Sequence, residues 1–425
     1  MPIRTKEALR ELVRKTVQAV PVTDVFTGLY PEAFGSLMRW GIDELLTSRP
    51  LLEETYIFHP GPPLEDLLAM PKPEAAELVW QTLFIDRTPL SPGCREVVAV
   101  LHALGGDGRH KELTAWREYF RTLPAPDYLD LVFGRAGVTT VCMLSDPLQG
   151  IEGEVWNRLY GLDPRFNPVL SVDLLLCDWK TACARLREKD YGVEEKLSAA
   201  SLDAVRSYLR YSTVRLDPLY LAASLPDGFS PGRASDADRL LREAVLPVAA
   251  EAGIPLGIRL GASGLRRRGM APAPQEREAG PAAGFSALLE LCRQHPGQKF
   301  IALASGAELT PPELAAARRM PNLHLAGCAA AGTPDRSAAG RLQGGLDVLG
   351  LSMTPLYSEA GAVDLLLPAW EQGRSLIGSA LSERYLALAD AGWSITAEDV
   401  ERDAAELLGG AFWRFLGRPN PATGL

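Results

Sequence analysis

Histidine is the residue this chain has least of among those that could hold a metal. There are five in 425 residues (His59, His102, His110, His295 and His324), and no two form a His-x-His or other paired motif. An imidazole-rich metal centre is therefore not expected. Cysteine is sparse as well. Cys94, Cys142, Cys177, Cys183, Cys292 and Cys328 include no Cys-x-x-Cys pair, and several lie in apolar runs such as Val141-Cys142-Met143-Leu144. That argues against a disulfide framework or zinc cluster and for buried free thiols in a reducing compartment. No apolar stretch approaches membrane-spanning length. The first twenty residues carry Arg4, Lys6, Glu7, Arg10, Glu11, Arg14 and Lys15 with no apolar core, so no signal peptide is expected. Positive charge is in deficit: 44 Lys and Arg against 53 Asp and Glu leave a net charge of -9. This disfavours nucleic acid or an anionic membrane as partner, and an anionic ligand would need a locally basic pocket. The expectation is a cytoplasmic protein.

What is present is an ordinary globular composition, 47% hydrophobic and 23% charged. Strand-like runs fall at 21–27, 138–144, 169–176, 219–225, 254–261, 299–304, 322–327 and 351–356, each followed by helix-type sequence. Eight strands alternating with helices predict an α/β fold, a (β/α)8 TIM barrel. Two helices stand out. Residues 235–252 open on Ser-x-Asp, carry Leu240, Leu241, Val245 and Val248 at helical spacing, and stop at Gly253. Residues 364–391 behave alike and stop at Gly392. The gap between the first two strands is too long for one crossover and holds helical segments at 72–84 and 94–104. It predicts a helical insertion or lid at 30–137, leaving 1–20 as an N-terminal helix and 21–29 with 138–425 as the barrel. Residues 265–284, Pro/Gly/Ala-rich and aperiodic, read as a loop after the fifth strand.

Collinear fragments carry a resemblance along nearly the whole chain. They begin with Val22-Thr23-Asp24-Val25-Phe26-Thr27-Gly28-Leu29-Tyr30 and Arg39-Trp40-Gly41-Ile42-Asp43-Glu44-Leu45-Leu46. Further along come Glu77-Leu78-Val79-Trp80-Gln81-Thr82-Leu83-Phe84, Asp163-Pro164-Arg165-Phe166, Asn322-Leu323-His324-Leu325-Ala326-Gly327-Cys328 and Ala391-Gly392-Trp393-Ser394. In these the chain resembles the uronate (glucuronate) isomerases, a branch of the metal-dependent amidohydrolase superfamily. The resemblance implies a barrel with an insertion after its first strand, and aldose–ketose interconversion of a hexuronic acid. A divalent metal would polarise the sugar oxygens while a base moves a proton between adjacent carbons. It also implies self-association.

The departures concern the site. Where the family carries His-x-His on its first strand this chain has Phe26 and Gly28, neither of which offers a lone pair. Where the family places an Asp after the eighth strand, Glu359 stands in Leu356-Tyr357-Ser358-Glu359-Ala360. A lone carboxylate touches Mg²⁺ or Mn²⁺ through water and holds it weakly, so at most a loosely bound divalent ion is expected. The family's Trp-Trp after Gly-Cys, its Ser-Arg and its Lys-Trp are replaced by Ala329-Ala330, Ser305-Gly306 and Ala369-Trp370. Loss of selection on catalysis and a widened pocket for another ligand both produce that pattern.

Among the remaining candidates, Glu359 is placed to act as acid or base, Asp24 as a polar contact or a capping carboxylate, and Ser358 as a substrate contact. Arg266 and Arg268 are placed to reach a ligand carboxylate or to be merely solvated. His324 reads as a packing histidine, and Cys328 has the position of a thiol nucleophile without a visible partner. The expectation is a barrel protein of sugar-acid metabolism whose metal ligands are lost and whose catalysis is degenerate. It would bind a small sugar acid and self-associate, alone or with an intact paralogue. The alternative is a divergent aldose–ketose isomerase using Glu359. Amide hydrolysis would need the missing histidines most.

Overall fold

A computed structural model describes residues 5–59, 61, 63–106, 111–226, 228–260, 284–304, 309–329 and 336–423. Among these residues, seven parallel strands follow one another in chain order: β1 (Val22–Thr27), β2 (Val138–Ser145), β3 (Phe166–Ser171), β4 (Leu221–Ser224), β5 (Leu256–Arg259), β6 (Phe300–Leu303) and β7 (Leu323–Ala326). Consecutive parallel neighbours with helices between them make a curled sheet with an inner and an outer face. Alternation separates the two. Cys142 and Leu144, Tyr220 and Ala222, and Ile301 and Leu303 join Phe26, Val169, Ala326 and Tyr357 in an inner cluster, while the intervening side chains meet the helical layer.

The eighth expected strand does not form a ladder. Around 354–360 the chain makes one bridge, Ala326 to Thr354, and then single hydrogen bonds to both neighbours. Gly327 and Ala329 donate to Thr354 O (2.9 Å) and Pro355 O (3.0 Å), while Glu359 donates to Phe26 O (3.2 Å) and Gly28 to Ala360 O (2.8 Å). Pro355 has no N–H, and Glu359 turns the backbone left-handed with φ 52°, so no regular strand runs through both. The segment nevertheless links β7 to β1. The third expected strand is also misplaced. Its apolar run Leu174-Leu175-Leu176 lies in a helix, Asp173–Cys177, and the strand ends at Ser171. Short apolar runs do not distinguish strand from helix by period.

Between β1 and β2 the chain is helical, including Arg49–Phe58, Lys72–Trp80, Pro92–Ala103 and Ala125–Ala136. Pro92–Ala103 and Ala125–Ala136 pack against the long helix Leu366–Asp390, which also covers the first helix, Lys6–Ala19. The helix predicted at 235–252 forms, and Gly253 caps it at φ 65°. The N-terminal mouth of the sheet is plugged by the helix Ala411–Leu416. Its Phe412 and Trp413 enter the inner cluster, and the Trp413 indole donates to Thr23 Oγ1 at 2.8 Å. Lys299 caps this helix by donating to Phe415 O (2.7 Å) and Leu416 O (3.3 Å). Among the described residues no helix is long and apolar enough to cross a membrane. None of the six cysteines forms a disulfide; Cys177 alone of them is exposed.

Candidate active site at the strand C-terminal ends

Barrel enzymes work at the ends of their strands, and here the last inward layer is only partly apolar. Arg259, the final residue of β5, pairs in register with Ser224 on β4 and with the inward Leu303 on β6, so its side chain points inside. Its Nε and Nη2 donate to Ser224 Oγ at 3.0 and 2.6 Å, and Nη2 also donates to the Asp173 carboxylate just past β3. Asp173 in turn accepts the Ser224 N–H. The guanidinium reaches to 5.8 Å from the centre of the Phe26 ring, which packs edge-on against Tyr357 at 5.6 Å. β1 and β5 lie across the curl from each other, so this approach puts the guanidinium over the middle of the mouth.

Beside it, after β2, lies a second polar group. Asp146 is buried and is pushed up to about 7, first by burial and then by the neighbouring Glu152. Glu152 accepts from the Tyr30 hydroxyl (2.8 Å), the Asp146 N–H (2.9 Å) and the Trp156 indole (3.2 Å).

The candidates read from sequence take these places. Asp24 is fully buried. Its Oδ1 accepts the Ser358 N–H (3.1 Å) and its Oδ2 the Trp370 indole (2.8 Å), so it ties β1 to residue 358 and to the long helix. Ser358 is buried too, and its Oγ accepts the Ala360 N–H at 3.0 Å. Glu359, half-buried, sits at the left-handed turn beside Phe26. Arg266 and Arg268 lie outside the described residues. His324 is at the other end of the sheet, bonded to Thr354 Oγ1 (3.0 Å), stacked 5.2 Å from Phe415, and pushed down to about 3 by burial. Burial raises the Cys328 thiol to about 12, the reverse of an activated nucleophile.

No family model matches the chain, and neither does any curated protein. Among solved structures, the crystal structure of an uronate isomerase from Bacillus halodurans C-125 is 32% identical, with a TM-score of 0.90 over 99% of both chains. The chain belongs to the uronate isomerase family. A glucuronate isomerase from Caulobacter crescentus (13% identity, TM-score 0.68, 98% of this chain and 96% of that one) shares the fold. So does an uronate isomerase from Thermotoga maritima (11% identity, TM-score 0.69, 98% and 100%).

The divalent metal that the uronate isomerase resemblance implies does not fit the residues present. Phe26 and Gly28 have no donor atoms, and both Asp24 oxygens are already engaged inside the protein. Among the described residues no three His, Cys, Asp or Glu side chains come together as a metal site would need. Phe26 instead forms part of the inner core. The residues that sequence reading overlooked are Arg259, Ser224, Asp173, Asp146 and Glu152. A signal for three of them was there: Ser224 and Arg259 lie near the ends of predicted strands, and Asp146 follows one.

Two other buried carboxyls, Asp24 and Asp364, set a pH dependence. Burial raises Asp24 and Asp364 to about 6, partly offset by hydrogen bonds from Ser358 and Trp370 to the first and from Tyr128 and Gly41 to the second. Each therefore holds its proton more tightly folded than unfolded. The stability they contribute is fully present below the unfolded value near 4 and is lost as pH rises through 6. Urea unfolding at pH 5 and pH 8 should show about 1 kcal/mol lost per group across that interval. Asp24→Asn should shrink the loss, and an unchanged difference would refute the assignment.

Proposed function

We propose that this member of the uronate isomerase family is a cytoplasmic barrel protein of carbohydrate metabolism. It binds a sugar acid at the strand C-terminal ends, and its metal-dependent catalysis is degenerate. In this reading 354–360 completes a (β/α)8 barrel, and residues 30–137 contribute the cover of its mouth. The observation that carries the proposal is the packing of Phe26. The side chain at a former ligand position fills the top of the core against Tyr357 and leaves a cation no donor there. Arg266 and Arg268 are proposed to meet the ligand from above, and the protein is proposed to self-associate, alone or with an intact paralogue.

The experiment is turnover of D-glucuronate and D-galacturonate by the purified protein, with added Zn²⁺ or Mn²⁺ and again after chelation. The expected result is no turnover in either condition. Metal-dependent turnover would sink the degenerate reading.

One observation favours a second reading, an active isomerase with Glu359 as acid or base. A non-glycine residue held at φ 52° beside the mouth is a kind of strain that collects at working sites. Turnover that survives chelation and disappears in Glu359→Gln would establish it.

A further inference from the structure

We propose that the Arg259 guanidinium replaces the missing metal as the fixed positive centre of the mouth and holds the carboxylate of the ligand. The choice of a sugar carboxylate rests on the sugar-acid reading above.

The inward layers below Arg259 are apolar, built from Leu144, Ala222, Ile301 and Tyr220. An apolar residue at 259 would continue that packing without the desolvation that a buried ion pair suffers. The pair is nevertheless there, with both side chains only 7% exposed, and it stands at the one end of the fold where barrels place chemistry. Its geometry is that of a tethered cation. Nε and Nη2 are fixed by Ser224 and Asp173, which orients the plane and costs a ligand none of that ordering. The Nη1 end has no acceptor among the described residues, so two N–H groups remain for an anion. The reach toward Phe26 sets the guanidinium over the mouth, facing β1, the side from which the family's histidines would hold their ion. A guanidinium supplies charge and directed donors but no open coordination position, so it binds and orients a carboxylate.

The test is calorimetric titration of the full chain in chelator with D-glucuronate, D-galacturonate, glycolate and the neutral sugar D-glucose. The wild type should bind the two uronates and not D-glucose. Arg259→Lys, which keeps the charge and loses the fork, should weaken uronate binding at least about tenfold. Arg259→Met alone strands Asp173, so the decisive variant is Arg259→Met with Asp173→Leu, which removes both charges. It should bind no carboxylate while unfolding cooperatively like the wild type. Equal uronate affinity in that variant, or equal affinity of the wild type for D-glucose and D-glucuronate, overturns the proposal. If glycolate binds in an Arg259-dependent way and neither uronate does, the guanidinium site stands and the sugar-acid reading falls. If no carboxylate binds the wild type, both fall.

Discussion

Replacing Arg374 by methionine is expected to remove about 3–5 kcal/mol of folding stability, enough to threaten a domain of ordinary stability. Arg374 lies in the long helix Leu366–Asp390, is 3% exposed, and is held by backbone carbonyls. Its Nη1 donates to Val17 O and, at 2.8 Å, to Val20 O, where the first helix ends; its Nη2 donates to Gly137 O at 3.0 Å, where Ala125–Ala136 ends. One guanidinium thus satisfies the C-termini of two helices, whose terminal carbonyls have no partners within their own helices. Burial lowers its pKa to about 10, so it stays charged at neutral pH and interacts favourably with both helix ends. Methionine fills the volume but leaves Val17 O and Val20 O unpaired, while Gly137 O keeps the Val22 N–H. Arg374→Lys should recover only part of the loss, because one ammonium cannot span both ends. Urea unfolding checks this through the midpoint at constant slope. A change below 1 kcal/mol in Arg374→Met would show that water or rearranged backbone serves those carbonyls instead.

Gly327→Ala should be nearly as damaging, at about 3 kcal/mol. Its backbone is left-handed at φ 77°, which costs a residue with a Cβ about 1–2 kcal/mol. The added methyl would also clash with a ring carbon of Tyr357, a side chain only 2% exposed. The ring cannot yield without disturbing Phe26, and such overpacking costs about 1–3 kcal/mol more. The substitution therefore reaches the candidate site through the core. Thermal unfolding of Gly327→Ala beside Tyr357→Leu/Gly327→Ala separates the two contributions. If the second change rescues nothing, the clash is not the cause.

The strands were legible because their cores alternate or run apolar between turn residues, as in Val141 to Leu144 and Phe300 to Leu303. Family resemblance added their order, and likeness to a relative over 99% of both chains agrees with it. What alternation could not reveal was the end of β1. The β1–β2 register slips between Asp24 and Thr27, so Val25 and Phe26 both turn inward while Asp24 faces Trp370. A period of two places only one of that pair inside. The polar layer was hidden for a different reason. Asp173, Ser224 and Arg259 are far apart in sequence, and each alone is an unremarkable loop or strand-end residue. Only closure of the sheet makes them one group.

The earliest strand is finished by the last helices. Asp24 waits for Trp370, Thr23 for Trp413, and the end of the first helix for Arg374, at separations of 346, 390 and 354 residues. At translation speeds of about 5–20 residues per second, β1 leaves the ribosome roughly 20–70 s before its partners exist. During that interval an apolar strand edge and a carboxylate destined for burial remain in water. Synthesis of this chain is thus also a holding problem, one that ends when its C-terminal helices emerge.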